Sequence, residues 1–170
     1  MTFKLLTTTA IAVAMLAAGA QAQEKLKIGV TATLEGTYTV LGEDGMRGFN
    51  VALKERGGVV GGKEVEVIVG STDASPDSAV RAARKLVEQD EVDVLIAPLS
   101  GSEGIAIRDY AKTQPDMTFI NASSGAQETT YVNPSENFFR FNLDGAQWQA
   151  GLGEYIYNEK GYRTIATIGE

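Results

Sequence analysis

Short apolar runs rich in β-branched residues alternate along this chain with segments of helical periodicity, and that alternation restricts it to folds built on a parallel sheet. The runs at 26–32, 65–70, 92–97 and 117–120 read as strands. Helical patterns at 43–56, from Ser75-Pro76 onward, and at 105–112 separate them. In the first of these, Met46, Phe49, Ala52 and Leu53 recur at three- and four-residue spacing and form the expected buried stripe. Gly57-Gly58 supplies its stop. Ala79, Val80, Ala83, Leu86 and Val87 give the second helix its apolar face, with Ser75 as cap and Pro76 in the first turn. Strands joined by helices pair in parallel through right-handed crossovers, so the expected fold is a doubly wound α/β sheet. Beyond 137 the pattern predicts a strand at 138–141, one helix at 146–159 carrying Trp148, and a strand at 164–168.

The strand at 92–97 is the centre of the pattern, because a glycine-bearing polar stretch follows it and opens a helix. Ser100-Gly101-Ser102 there brings hydroxyls and free backbone N–H groups to one point, which suits a carboxylate or another anion. Asn121-Ala122-Ser123-Ser124-Gly125, after the next strand, repeats the arrangement. Two such strand ends side by side make half of a small-molecule site, at the position where open parallel sheets bind ligands. Tyr38 and Leu41, after the first strand, are candidate walls of that pocket.

Several function classes fall away on composition. The chain has 170 residues with neither cysteine nor histidine. The usual zinc ligands, the thiol nucleophile and the common catalytic base are therefore missing, and a packed core rather than disulfides must stabilise the fold. Residues 1–22 have the form of a secretory signal: Lys4, an apolar stretch, then Ala20-Gln21-Ala22 as a small-x-small cleavage site. Cleavage after Ala22 is expected. No cysteine follows it, so a lipid anchor on a mature N-terminal cysteine is not expected. The net charge of −7 becomes one unit more negative without Lys4, which argues against nucleic acid or anionic lipid as partners.

Gly42-x-x-Gly45-x-x-Gly48 lacks the Gly-Lys-Ser/Thr end of a phosphate loop and reads as a helix start. Asp73, Asp77, Glu103 and Asp144 are candidate acid–base carboxylates, but each also sits where a helix dipole favours negative charge. Arg140 is expected to pair structurally near a domain crossing rather than to meet a ligand carboxylate.

Taken together, these segments resemble the exported substrate-binding proteins of ABC importers, type I periplasmic binding proteins of the branched-chain amino-acid (Leu-Ile-Val-binding) kind. The resemblance lies in Leu26-Lys27-Ile28-Gly29-Val30 with its Gly36…Gly42 loop, Gly57-Gly58-Val59-Val60-Gly61-Gly62-Lys63 and the Ser75-Pro76…Arg84-Lys85-Leu86 helix. It extends to the 92–97 strand with its serine loop, Asn137-Phe138-Phe139-Arg140 and Tyr162-Arg163-Thr164-Ile165-Ala166. It implies two α/β lobes closing on one small solute, with permease subunits as partners, a periplasmic location, and no cofactor, metal, catalytic residue or stable membrane insertion. By resemblance, residues 23–142 form the first lobe and 143–170 the hinge crossing and the start of a truncated second lobe. The resemblance also places a ligand carboxylate against Ser100-Gly101-Ser102, and an ammonium with further carboxylate contacts against 121–125. Gly101 and Gly125 stand where amino-acid binders often carry a hydroxyl, which opens the ligand class to aromatic acids, amides and other small polar solutes. Two other readings stay open: a ligand-sensing receptor domain, and an exported carboxylate-based enzyme.

Overall fold

The structure is a computed structural model that describes residues 25–167. The expected leader and Ile168–Glu170 lie outside the described residues. A six-stranded sheet organises the chain. Its strands are β1 (Leu26–Thr33), β2 (Val59–Val60), β3 (Lys63–Thr72), β4 (Val94–Ala97), β5 (Thr118–Asn121) and β6 (Phe138–Arg140), in the order β2-β3-β1-β4-β5-β6. All pairs are parallel except the hairpin between β2 and β3, where Val59 faces Glu64 and Val60 faces Lys63.

Helix α1 (Thr39–Glu55) connects β1 to β3 on one face of the sheet, where Met46 and Phe49 pack on Ile28, Val30 and Ala32. Helices α2 (Pro76–Arg84, continued by a π-turn over Lys85–Gln89) and α3 (Gly101–Ala111) cover the other face. Ala79, Ala83, Leu86, Leu95, Ile107 and Phe119 form the larger core there, with Tyr110 set edge-on to Phe119 at 5.9 Å between ring centres. The chain runs from β1 outward to β3 and then back past β1 to β4. The connections thus diverge at the carboxyl ends of β1 and β4, and a crevice forms where they part.

The sequence-based boundaries shift in five places. First, α1 begins at Thr39, a full turn earlier than expected, so Glu43 and Asp44 lie beyond its first turn. Ala52 in its expected stripe is exposed, and among the described residues α1 meets β1 through Gly42, Met46 and Phe49. Second, the β2–β3 hairpin extends the second strand backward to Lys63. Third, α3 begins at Gly101 rather than Ile105: Ser100 accepts from the Glu103 N–H, and the Glu103 carboxylate accepts from the Ser100 N–H, in a capping box. Fourth, the helix expected at 146–159 is two short helices, α4 (Gly145–Trp148) and α5 (Leu152–Asn158), separated by Gly151 at φ 79°. Fifth, residues 161–167 adopt no strand, since none of the described strands lies beside them to complete a ladder.

The glycines of the 42–48 motif have separable structural roles. A Cβ on Gly42 would collide with the Thr33 carbonyl, so Gly42 lets α1 lie directly on the end of β1. Gly45 and Gly48 face open space. Gly42→Ala should therefore lower unfolding free energy by roughly 1–3 kcal/mol through overpacking. Gly45→Ala and Gly48→Ala should each raise it by about 0.5–1 kcal/mol through helix propensity. Denaturant titration of the three variants checks this, and a neutral Gly42→Ala would contradict the observed α1–β1 approach.

Candidate functional site

Glu103 anchors the strand ends. Its side chain is fully buried at the first turn of α3. One carboxylate oxygen accepts the Thr72 hydroxyl at 2.8 Å, and the other accepts the Leu99 and Ser100 amides at 3.2 and 2.9 Å. The Thr72 hydroxyl also meets that of Thr33 at 3.2 Å. The carboxyl ends of β1, β3 and β4 are thus tied through one buried carboxylate. The Ser100 hydroxyl donates to the Ala74 carbonyl at 3.0 Å, accepts from the Glu103 amide, and lies 3.2 Å from the Ser102 hydroxyl. Its capacity is spent on positioning the helix. The Gly101 and Ser102 amides, in the first turn, have no carbonyl within the helix to bond.

The loop after β5 is fixed as firmly. Ala122 N–H bonds the Ala97 carbonyl, and the Ser123 hydroxyl bonds the Pro98 carbonyl at 2.7 Å. Three side chains converge on the Ser124 carbonyl: Asn121 at 3.0 Å, Arg140 at 2.5 Å and Asn142 at 3.1 Å. Arg140 also binds the Ala126 carbonyl and the hydroxyls of Thr129 and Thr130. It is therefore a structural clamp on the loop after β5.

Between these loops opens a cleft of about 760 Å³. Tyr38 and Leu41 form one side, and Leu99, Ser100 and Gly101 the floor at the α3 N-terminus. Ser123, Gly125 and Ala126 follow from the β5 loop, and Gly145, Trp148 and Gln149 close the far side. An apolar cavity of about 280 Å³, under α1, continues behind Leu41, Leu99 and Ser123. The structure brings six of the sequence-predicted residues to the cleft: Tyr38, Leu41, Ser100, Gly101, Ser123 and Gly125. Ser102 is exposed at the start of α3, and Ala122 lines the apolar cavity rather than the cleft. The side chains of Asn121 and Ser124 are fully buried beneath the loop. Ser124 packs so closely on Gly104 that any side chain there would displace it.

Spacing alone does not mark Trp148 as a wall, since it reads as one apolar residue of a regular helix. The usable signal is Asp144-Gly145-Ala146-Gln147, a capping box that starts α4 beside the β5 loop. The Gly145 amide bonds the Gly125 carbonyl at 2.9 Å and holds α4 against that loop.

The four candidate carboxylates all serve helix starts. Asp144 caps α4, Glu103 caps α3, and Asp77 lies in the first turn of α2. Asp73 accepts from the Ser75 amide and the Ser78 hydroxyl at the α2 start. Hydrogen bonds from Ser75 and Ser78 hold the Asp73 carboxyl well below the usual carboxylate range. The Gln147 amide, with those of Ala146 and Gln127 and the nearby Arg140 charge, lowers Asp144 in the same direction. Both groups stay ionised through the neutral range, and the stabilisation they give is lost only as pH falls below the ordinary carboxylate value. Among the described residues, no group of three or more acidic, histidine or cysteine side chains is arranged to hold a metal, and no helix is long and apolar enough to cross a membrane.

A family model described as a periplasmic binding protein matches residues 25–170. The chain belongs to the periplasmic binding protein family. Solved structures agree with the fold described above. An ABC transporter substrate-binding protein from Sphaerobacter thermophilus is 33% identical, with a TM-score of 0.73 over 82% of this chain and 38% of that one. A solute-binding protein of an ABC transporter from R. palustris, solved with benzoate, is 25% identical with a TM-score of 0.75 over 81% of this chain and 38% of its own. The branched-chain amino-acid binding protein LivJ of Streptococcus pneumoniae, solved with isoleucine, shares the fold at 19% identity, TM-score 0.71, over 81% of this chain and 39% of its own. This periplasmic binding protein chain thus spans less than two-fifths of the length of these relatives. The curated proteins contain no match.

Glu103 positions the floor of the cleft without facing it. Glu103→Ala leaves the Thr72 hydroxyl and two amides without their acceptor and should cost roughly 2–5 kcal/mol. Glu103→Gln, which keeps one acceptor oxygen, should cost less. Denaturant unfolding of both variants measures the difference, and a near-neutral Glu103→Ala would contradict the tie.

Proposed function

We propose that this protein is the solute-binding component of an ABC importer, taking a small polar solute, an amino acid or a related small carboxylate, between two lobes for delivery to permease subunits in the membrane. One observation supports the reading above the others: the loops after β1, β4 and β5 converge on a single cleft at the point where the sheet's connections diverge. The amides of Gly101 and Ser102 suit a carboxylate, and Tyr38, Leu41 and Leu99 suit its apolar body. The chemistry is binding, in which amide dipoles replace the water around the carboxylate and closure of a second lobe excludes the rest. In this reading residues 23–142 are the first lobe, 143–170 lead into the second, and residues 1–22 direct export to the periplasm without a lipid anchor. Sequencing of the exported protein should then give Gln23 as the mature N-terminus.

A substitution on the cleft floor tests the site. A Cβ at Gly101 makes only ordinary contacts, the nearest at 3.6 Å to Ala126, so a side chain is tolerated in the fold but fills the cleft. Gly101→Leu in the full-length protein should leave the melting temperature of the unliganded protein unchanged and weaken solute binding by about tenfold or more, a loss of roughly 1.4 kcal/mol. Calorimetry with a panel of amino acids, aromatic acids and amides provides the measurement. Undiminished affinity would place the solute elsewhere.

A further inference from the structure

The loop after β5 is held by its carbonyl oxygens, and the holder is the segment that runs from β6 into α4. Arg140 and Asn142 donate to the Ser124 carbonyl, the Gly145 amide donates to the Gly125 carbonyl, and Arg140 donates again to the Ala126 carbonyl. Three consecutive peptides are thereby fixed from one side. Across a planar trans peptide the carbonyl and the following N–H point in opposite directions. The Gly125 and Ala126 amides therefore point away from the clamp, and neither has an acceptor among the described residues. Gly125 and Ala126 line the cleft, whereas Arg140 does not.

The guanidinium of Arg140 is suited to this task. Nη1 serves the Ser124 carbonyl, and Nη2 serves the Ala126 carbonyl and the Thr129 hydroxyl. That hydroxyl in turn donates to the Ala126 carbonyl at 2.9 Å, and Nε donates to the Thr130 hydroxyl at 2.9 Å. A planar fork spans two carbonyls two residues apart with bonds in fixed directions, which the single centre of an ammonium cannot do. A second buried arginine provides a comparison. Arg108, 3% exposed, donates to the Glu128 and Asn133 carbonyls of the same connection, and none of these three residues lines the cleft.

We infer that Arg140 is a positioning residue of the solute site: without touching solute, it fixes the direction of the Gly125 and Ala126 amides by holding the carbonyls on the other side of the loop. The inference rests on the reading of the cleft as the solute site. Under that reading the clamp also ties the solute loop to the segment that leads toward the second lobe, so loop and segment move together. The Trp148 indole lies over Gly125, where an added Cβ would stand 2.9 Å from Cη2 and Cζ3, so its emission reports the position of the loop with no solute present.

The test compares Arg140→Met, which keeps the stem and removes the donors, with Arg140→Lys and Arg108→Met in the full-length protein. Three quantities are read: the thermal midpoint, the calorimetric affinity for isoleucine and for benzoate, and the solute-free Trp148 emission, taken as the difference between each protein and its own Trp148→Phe counterpart. Arg140→Met should shift the Trp148 emission and weaken the binding of whichever probe the native protein takes by about tenfold or more, and Arg140→Lys should recover part of both. Arg108→Met should lower the midpoint yet leave the emission unchanged and the affinity within about twofold of native. Asn142→Ala removes a less buried donor from the Ser124 carbonyl and should act like Arg140→Met at smaller size, so it carries the test if Arg140→Met does not fold. Native emission and affinity in Arg140→Met or, failing its folding, in Asn142→Ala would overturn the inference, as would an equal loss of affinity in Arg108→Met. If neither probe binds the native protein, the emission decides alone, and an unshifted Trp148 signal in Arg140→Met overturns the inference. Binding indifferent to Gly101→Leu, with the emission shift of Arg140→Met intact, would instead overturn the cleft as the solute site and leave the clamp on the loop standing.

Discussion

The buried carboxylate of Glu103 is the constraint on which the arrangement of the strand ends depends. A carboxylate removed from water is costly unless every oxygen is hydrogen-bonded, and here the Thr72 hydroxyl and the Leu99 and Ser100 amides meet that need. Satisfying Glu103 therefore forces Thr72 at the end of β3 and the Leu99-Ser100 peptide after β4 into one place. Thr33, at the end of β1, joins through its contact with Thr72. The same residue completes the capping box, so the geometry that fixes the strand ends also fixes where α3 begins. The amides of its first turn are left with no partner inside the helix.

Three close approaches then shape the cleft around this floor, and each needs a glycine. Gly42 lets α1 rest on the Thr33 carbonyl and brings Leu41 to the cleft. Gly104 makes room for Ser124, so the β5 loop packs down on α3. Gly125 receives the Trp148 indole. Arg140 and Asn142 hold the β5 loop from the other side through its carbonyls. Rigid positioning of the loops, with apolar side chains left open above them, is what a binding site requires of its scaffold.

Much of this is legible in the sequence, and the reasons for the misses are physical. The strands and the doubly wound order follow from β-branched runs and intervening helical periodicity. The two polar loops stand out because glycine and serine after a buried strand are informative. The start of α3 is misjudged by periodicity although Ser100-x-x-Glu103 spells a capping box. Apolar periodicity begins later than that helix does, and it is the stronger-looking signal. Reading Asn121 and Ser124 as surface donors assumes that loop side chains face outward, whereas these two turn inward under the loop. Trp148 cannot be placed from spacing alone, because Gly151 breaks the helix that its periodicity suggests and because its seat is a glycine 23 positions earlier in the chain. Residues 164–167 have strand composition but no neighbouring strand among the described residues, and composition cannot supply a partner.

The most direct test is a crystal structure of the full-length protein with its solute bound. The solute carboxylate should lie within hydrogen-bonding distance of the Gly101 and Ser102 amides, with its body bounded by Tyr38, Leu41 and Trp148, and Glu103 should remain buried on Thr72 and the Leu99-Ser100 peptide. A solute bound away from the ends of β1, β4 and β5, or a Glu103 side chain released from those partners in the bound state, would contradict the central role given to this carboxylate and its cleft.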